Sequence, residues 1–148
     1  MTTAYKQIQL TNNNIASVEA DAFIPLGKVT RRINAPYNCC NTFILTSSTD
    51  DTLVLNDTGF YKVTYSLTAT AAAAGTITVA LITDGTSIHT VSQSIVDETS
   101  PVNLTLVYTI RVCPNCASAP DNVPVSLQIQ NTGVALTGQS ANLIVEKI

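Results

Sequence analysis

The sequence predicts an all-β protein, an antiparallel sandwich or barrel of about ten short strands. Helical periodicity is nearly absent, turn residues recur at short intervals, and several runs alternate between apolar and polar side chains. In the run Val102–Val112, Leu104 and Leu106 share one face while Asn103 and Thr105 share the other. Such half-buried strands are typical of antiparallel sheets, because the strands of parallel sheets are covered on both faces.

Turn residues separate the predicted strands. The stretch Ala69–Ala74 is short and lies between two strand patterns, so we interpret it as a strand end followed by a turn. The dipeptide Asp84-Gly85 predicts a hairpin, and Cys113–Asn122 is the long connection. The predicted strands are Tyr5–Leu10, Ala22–Arg32, Phe43–Thr46, Thr52–Leu55, Phe60–Ala69, Thr76–Thr83, Ser87–Val96, Val102–Val112, Val125–Gln130 and Asn142–Lys147.

Composition limits the classes of partner. The 148 residues suffice for one domain, and only 11% of them are charged, whereas threonine occupies 22 positions. Hydroxyl and amide groups must therefore build much of the surface. A net charge of −3 gives no electrostatic footprint for nucleic acid or anionic lipid. Lys28, Arg31 and Arg32 form the only basic cluster, which we interpret as a solvated strand face or a subunit contact.

The N-terminal sequence bears on location. Residues 1–10 lack the basic start, apolar core and small-residue cleavage site of a signal peptide. No apolar run approaches the roughly 20 residues that cross a bilayer. We therefore expect a protein that is made in the cytoplasm and leaves it, if at all, by another route such as cell lysis.

Four cysteines occur as two pairs, Cys39-Cys40 and Cys113-Pro114-Asn115-Cys116. Four thiolates can form a tetrahedral zinc site, but adjacent cysteines on a strand point apart and would need a turn to bind one ion. Disulfides between the two loops, or free thiols in a reducing cytoplasm, are the alternatives. Redox catalysis is not expected, because a catalytic Cys-x-x-Cys usually begins a helix. The candidate zinc ligands are Cys39, Cys40, Cys113 and Cys116, and we expect no other cofactor.

No catalytic constellation is apparent. His89 is the only histidine, and no nucleophile or acid at a suitable spacing accompanies it, so a Ser-His-Asp arrangement is not indicated. The acidic pairs Asp50-Asp51 and Asp97-Glu98 lie at strand ends without the ligand spacing of a calcium loop. We interpret them as solvated turns, and we expect no enzymatic activity.

Four stretches resemble, in the correct order, strands of the complement globular-head and tumour-necrosis-factor superfamily of jelly rolls. Gly59–Tyr65 resembles the Gly-x-Tyr-x-hydrophobic strand of that superfamily, and Thr78–Gly85 resembles its strand that ends in an Asn-Gly hairpin. Val125–Ile129 resembles the penultimate strand, and Leu136–Val145 resembles the closing loop and last strand. The resemblance covers residues 43–148 and is closest in style to phage head fibres and exosporium filament heads.

The resemblance implies a ten-stranded jelly roll that forms homotrimers and serves as a surface module. Tyr61, Tyr65 and Tyr108 would then contribute to core or trimer packing. We predict an N-terminal attachment segment with the first strands in residues 1–35, and a jelly-roll head domain in residues 36–148.

The predicted function is that of a structural virion protein on the particle surface, a phage head fibre or capsid-decorating protein. It would contact other virion proteins, such as the capsid or a fibre base, through its N-terminal segment. A receptor- or glycan-binding knob, for which Tyr37 is the best loop aromatic, and a bacterial exosporium filament head are the alternatives.

Overall fold

The computed structural model describes residues 5–13, 15–35, 42–45, 51–95, 100–114 and 123–148. Within these residues, ten strands form two five-stranded antiparallel sheets and no helix occurs. The predicted all-β sandwich is therefore confirmed. The strands are β1 (Tyr5–Asn12), β2 (Lys28–Ala35), β3 (Phe43–Leu45), β4 (Leu53–Leu55), β5 (Gly59–Ala71), β6 (Gly75–Thr83), β7 (Thr86–Ile95), β8 (Val102–Val112), β9 (Val125–Asn131) and β10 (Leu136–Lys147).

The first sheet, sheet A, has the strand order β2-β1-β10-β5-β8. The N-terminal strand pairs directly with the C-terminal strand, from Lys6 opposite Lys147 to Asn12 opposite Ala141. On its other side, β10 pairs with the long strand β5, which in turn pairs with β8 at the edge of the sheet. Strands that are distant in sequence are thus neighbours in this sheet.

The second sheet, sheet B, has the strand order β3-β4-β9-β6-β7. The short strand β4 lies between β3 and β9, and on β9 it reaches only Val125–Leu127. The following residues of β9 pair with the connection between β1 and β2 instead. The Ile24 N–H donates to the Ile129 carbonyl at 2.8 Å, and the Asn131 N–H donates to the Ala22 carbonyl at 2.9 Å. The β1–β2 connection therefore pairs with the part of β9 that β4 is too short to reach.

The N-terminal residues are part of the sandwich. Ile15, Val18, Ile24 and Leu26 from the β1–β2 connection are buried in the same hydrophobic cluster as the strands of both sheets. The described residues before position 36 therefore share one hydrophobic core with the strands that follow, and the division at residue 36 stays a prediction. An attachment role for residues 1–35 stays a prediction.

The second predicted strand, Ala22–Arg32, begins too early. In the structure β2 begins at Lys28 and continues to Ala35. Pro25 lacks an N–H group for a sheet ladder, and Gly27 has φ +93°, so these residues interrupt the extended pattern. Apolar residues in this connection fill the core without belonging to a regular strand.

Strand β10 is longer than predicted. The expected closing loop before Asn142 is extended backbone, and β10 already begins at Leu136. The register with β5 shifts between Leu136 and Gly138, and Gly138 has φ +105°. Gly138, which the sequence predicts to lie in the closing loop, is therefore part of a β-bulge within β10.

Two turn predictions are confirmed. Asp84 and Gly85 have φ values of +48° and +81°, as the central residues of a tight hairpin between β6 and β7 require. Strand β5 ends at Ala71, and a turn over residues 72–74 leads to β6.

Tyr61 and Tyr65 pack inside the sandwich. Both side chains are fully buried, and the Tyr61 ring makes an edge contact with Phe43 of sheet B at 6.0 Å between ring centroids. Of the two roles left open for them, the structure assigns the core. Any surface on which protomers meet must therefore be made by other residues.

Candidate functional site

The two sheets differ sharply in charge. The strands of sheet B contain no Asp, Glu, Lys or Arg, and Glu146 is the only acidic residue in the strands of sheet A. The chain contains seven basic residues, and all of them lie in sheet A. They are Lys6, Lys28, Arg31, Arg32, Lys62, Arg111 and Lys147. The outward surfaces of the two sheets are therefore suited to different partners.

The outward surface of sheet A, which we call face A, carries the most exposed apolar side chains among the described residues. Phe60, Val107 and Ile148 are 53%, 51% and 73% exposed. Phe60 and Ile148 are adjacent, since the Ile148 N–H donates to the Phe60 carbonyl at 2.8 Å. Val107 lies opposite Thr64, which in turn lies opposite the half-buried Ile144. Face A thus combines exposed apolar groups on three neighbouring strands.

Polar side chains on face A are bonded to one another across the strands. The Thr68 hydroxyl donates to Asn103 Oδ1 at 2.6 Å, and Asn142 Oδ1 accepts hydrogen bonds from Gln9 and Thr11 at 3.1 and 3.2 Å. These side chains already have hydrogen-bond partners within the protomer. Removing them from water therefore costs less free energy than burying polar groups without a partner. Face A is therefore chemically compatible with burial in a protein interface.

A lysine clamp ties both ends of the chain to the β4–β5 turn. Asp57 Oδ2 accepts from Lys6 Nζ at 2.9 Å and from Lys147 Nζ at 3.0 Å. Burial alone would raise the pKa of Asp57, but the hydrogen bonds from the two lysines outweigh it and hold this pKa below its ordinary value of 3.8. The Tyr61 hydroxyl donates to the Asp57 carbonyl at 2.6 Å and fixes the same turn to the core.

Replacing Asp57 with asparagine should lower the free energy of unfolding at pH 7 by about 1 kcal/mol or less, because the carboxylate is partly exposed and solvent screens the pair. The folded-state pKa lies below the unfolded-state value. The stabilisation is therefore complete above about pH 4 and is lost as pH falls through the folded-state pKa. Urea unfolding at pH 7 and pH 2.5 measures the difference between wild type and Asp57→Asn. A difference that does not shrink at pH 2.5 would contradict the clamp.

The tyrosines of the core are not acid–base groups at neutral pH. Burial raises the pKa of Tyr61, and the negative charge of Asp57 raises it further. Burial likewise raises the pKa of Tyr65. Both hydroxyls therefore stay protonated at neutral pH, and these side chains serve packing rather than proton transfer.

The cysteines of the sequence analysis fall mostly outside the described residues, as Cys39, Cys40 and Cys116 do. Cys113 follows the last residue of β8 and is disulfide-bonded. A sulfur atom in a disulfide must be reduced before it can bind zinc as a thiolate. The zinc site therefore stays a prediction that requires reduced protein.

The other candidate residues are not brought together. His89 lies on β7 and stacks on Tyr108 of β8, with ring centroids 5.1 Å apart, where the edges of the two sheets meet. Asp51 accepts a hydrogen bond from the Thr52 hydroxyl at 2.9 Å. In the described part of the chain, no group of three or more His, Cys, Asp or Glu side chains is arranged to hold a metal ion. Tyr37, Asp50, Asp97 and Glu98 lie outside the described residues.

Sequence reasoning missed one buried polar residue, Asn131. Its side-chain amide donates to the carbonyls of Val18, Glu19 and Val134 at 3.4, 3.2 and 3.0 Å. Its Oδ1 accepts from the Gly133 N–H at 3.2 Å. The alternation of β9 was the available signal, because it places Asn131 on the same buried face as the apolar residues of that strand.

No helix of the described residues is long and apolar enough to span a membrane. No protein-family model matches the sequence, and no curated protein is significantly similar to it.

Solved structures with the same fold are numerous. Eiger TNF from S. frugiperda aligns over 99% of this chain and 94% of its own, with a TM-score of 0.68 and 15% identity. The globular domain of zebrafish complement 1qA protein aligns over 97% and 96%, with a TM-score of 0.62 and 5% identity. PRD1 vertex protein P5 aligns over 99% of both chains, with a TM-score of 0.60 and 16% identity. The chain therefore has the jelly-roll fold of tumour necrosis factor and complement globular heads, as the sequence resemblance predicts.

Proposed function

We propose that this chain is a non-enzymatic structural protein of a bacteriophage virion, a head fibre or capsid-decorating protein displayed on the particle surface as a homotrimer. The observation that carries the proposal is the full-length similarity to PRD1 vertex protein P5. The alignment leaves almost no part of either chain unmatched, so the shared fold extends over the whole length of this chain. A surface role also suits a chain without a described catalytic or metal-binding cluster.

Face A supports the trimer as the surface on which protomers meet. It carries the three most exposed large apolar side chains of the described residues, and their removal from water would stabilise an assembly by about 25 cal/mol per Å² before association costs. Its central charges are of both signs, because Lys62 lies opposite Glu146.

Attachment to the capsid or fibre base is assigned in this proposal to residues 1–35. Strand β2 lies at the edge of sheet A, and its three basic side chains, Lys28, Arg31 and Arg32, are exposed. The edge presents backbone groups and positive charge together. This favours an acidic partner on the virion.

The trimer is tested by size-exclusion chromatography with light scattering. We expect a mass close to three times the 15.7 kDa of one chain. A monomer at micromolar concentration would remove the trimer from the proposal.

The role of face A is tested by placing a lysine on each sheet. Val107→Lys should convert the trimer into monomers, because it puts a charge into the apolar part of face A. Ile44→Lys is the matched control, since Ile44 is also β-branched and is 39% exposed on sheet B. A Val107→Lys protein that remains trimeric would mean that protomers meet elsewhere.

The virion assignment is tested on particles purified from lysates of the host. Antibodies against the chain should label the particle surface in electron micrographs, and the neighbouring genes should encode capsid and portal proteins. Intact particles that contain none of the chain would refute a virion role without affecting the trimer.

A further inference from the structure

The outward surface of sheet B, which we call face B, is uncharged and rich in hydrogen-bonding groups. None of its five strands contributes an ionisable carboxylate, amine or guanidinium. On β9, Gln130 lies opposite Ala80 of β6, which in turn lies opposite Thr90 of β7, and Gln128 lies opposite Ile82. Ala80, the outward residue between Gln130 and Thr90, is small and is covered by the groups around it. Face B thus offers donors and acceptors without net charge.

An exposed aromatic ring stands at one side of face B. Phe23 bridges to Gln130, so its side chain lies on the outward side of β9, and it is 38% exposed. Phe23 also lines a cavity of about 350 Å³ together with Ser17, Glu19 and Pro25. This volume is at the lower end of the range for small-molecule sites. A flat ring, a hydroxyl and a carboxylate therefore line one cavity next to an uncharged polar face.

The backbone around the cavity is held rigidly, although it is not a regular strand. The Val18 and Leu136 backbones exchange two hydrogen bonds of 2.9 and 2.8 Å. The buried Asn131 amide also donates to the Val18 and Glu19 carbonyls. A preformed site loses less conformational entropy when a ligand binds than a flexible loop would.

We propose that face B and the Phe23 cavity bind a neutral glycan. The C–H face of a sugar ring packs on an aromatic ring through dispersion and apolar burial, while carboxamides and hydroxyls exchange hydrogen bonds with sugar hydroxyls. Among the described residues that line the cavity, the ionisable one is Glu19, the exposed Asp21 follows it closely in the chain, and the strands of sheet B contain no lysine or arginine. Sialylated, sulfated or phosphorylated glycans therefore lack a cationic partner and are repelled.

If protomers meet through face A as proposed, the site stays open, because the strands of face B form the other sheet of the sandwich. A particle-surface protein could thus use one sheet to assemble and the other to contact the carbohydrate of its surroundings. Several copies on one assembly would raise the overall avidity for a repeating polysaccharide.

The first test places the full chain on a glycan microarray that carries neutral glycans with their sialylated and sulfated counterparts. We expect binding to one or more neutral glycans and weaker or no binding to the anionic counterparts. Binding to no neutral glycan, or stronger binding to the anionic forms, would overturn the proposal.

The second test assigns the binding to Phe23 by titration calorimetry with the neutral glycan that binds best on the array. Phe23→Leu keeps an apolar side chain but removes the ring, and we expect at least a tenfold loss of affinity, about 1.4 kcal/mol. Phe23→Tyr keeps the ring and should bind within about threefold of wild type. Equal affinities for the leucine and tyrosine variants would show that the ring is not part of the site. Circular dichroism melts of both variants confirm that they are folded.

Discussion

Replacing Asn131 with leucine should lower the free energy of unfolding by about 3 kcal/mol or more. The substitution removes the two amide hydrogens that three carbonyls share and one accepted hydrogen bond, each bond having a net value of about 1 kcal/mol, and leaves buried backbone groups without this partner. Leucine has the same number and branching of side-chain heavy atoms as asparagine, so the substitution leaves no cavity. All hydrogen-bond partners of the Asn131 side chain are backbone atoms. A second side-chain substitution therefore cannot restore the stability that Asn131→Leu loses.

Urea denaturation of Asn131→Leu and Gln130→Leu measures this effect. Gln130 is the preceding residue on β9 and donates one exposed hydrogen bond to the Asp21 carbonyl at 2.8 Å. Its substitution should cost less than about 1 kcal/mol. Similar losses for the two variants would contradict the role of Asn131 as the residue that fixes the β1–β2 connection to β9.

Replacing Gly138 with alanine should cost at least about 3 kcal/mol, or prevent folding altogether, for two reasons that add. The backbone of Gly138 has φ +105°, which L-residues with a side chain rarely adopt. An added Cβ would also overlap the Ile15 carbonyl oxygen, a backbone atom that cannot move without displacing the β1–β2 connection.

Gly85→Ala separates these two causes. Gly85 has φ +81° but nothing within 4 Å of an added Cβ, so its substitution incurs backbone strain alone, about 1 kcal/mol. Chemical denaturation of both variants gives the comparison. Equal stabilities of Gly138→Ala and Gly85→Ala would contradict the close contact between Gly138 of β10 and Ile15 of the β1–β2 connection.

Much of the fold could be predicted from local patterns. Alternation in several runs and the turn residues between them located most of the ten strands, and Asp84-Gly85 located the hairpin, because pleat geometry and positive φ act on residues close in sequence. The β1–β2 connection could not be predicted in this way. Ile24 is buried because β9 is longer than β4, and nothing near Ile24 in the sequence records that mismatch.

The candidate site was less predictable than the fold. The cysteines and the lone histidine are candidates by their chemistry alone. Phe23 has no such signal, because the sequence pattern places it within the predicted strand Ala22–Arg32. Its exposure depends on pairing with Gln130, more than a hundred residues later in the chain. Asn131 was predictable in principle, since alternation assigns it to the buried face of β9.

The sequence by itself determined which segments are strands and which of them carry charge. Only the tertiary structure decided that every lysine and arginine lies in one sheet and that the other sheet has no charge. The physical reason is that a jelly roll pairs strands that are far apart in the chain, such as β1 with β10 and β5 with β8. Backbone hydrogen bonds and core burial across those distances assemble the two faces, and no local pattern specifies which strands meet.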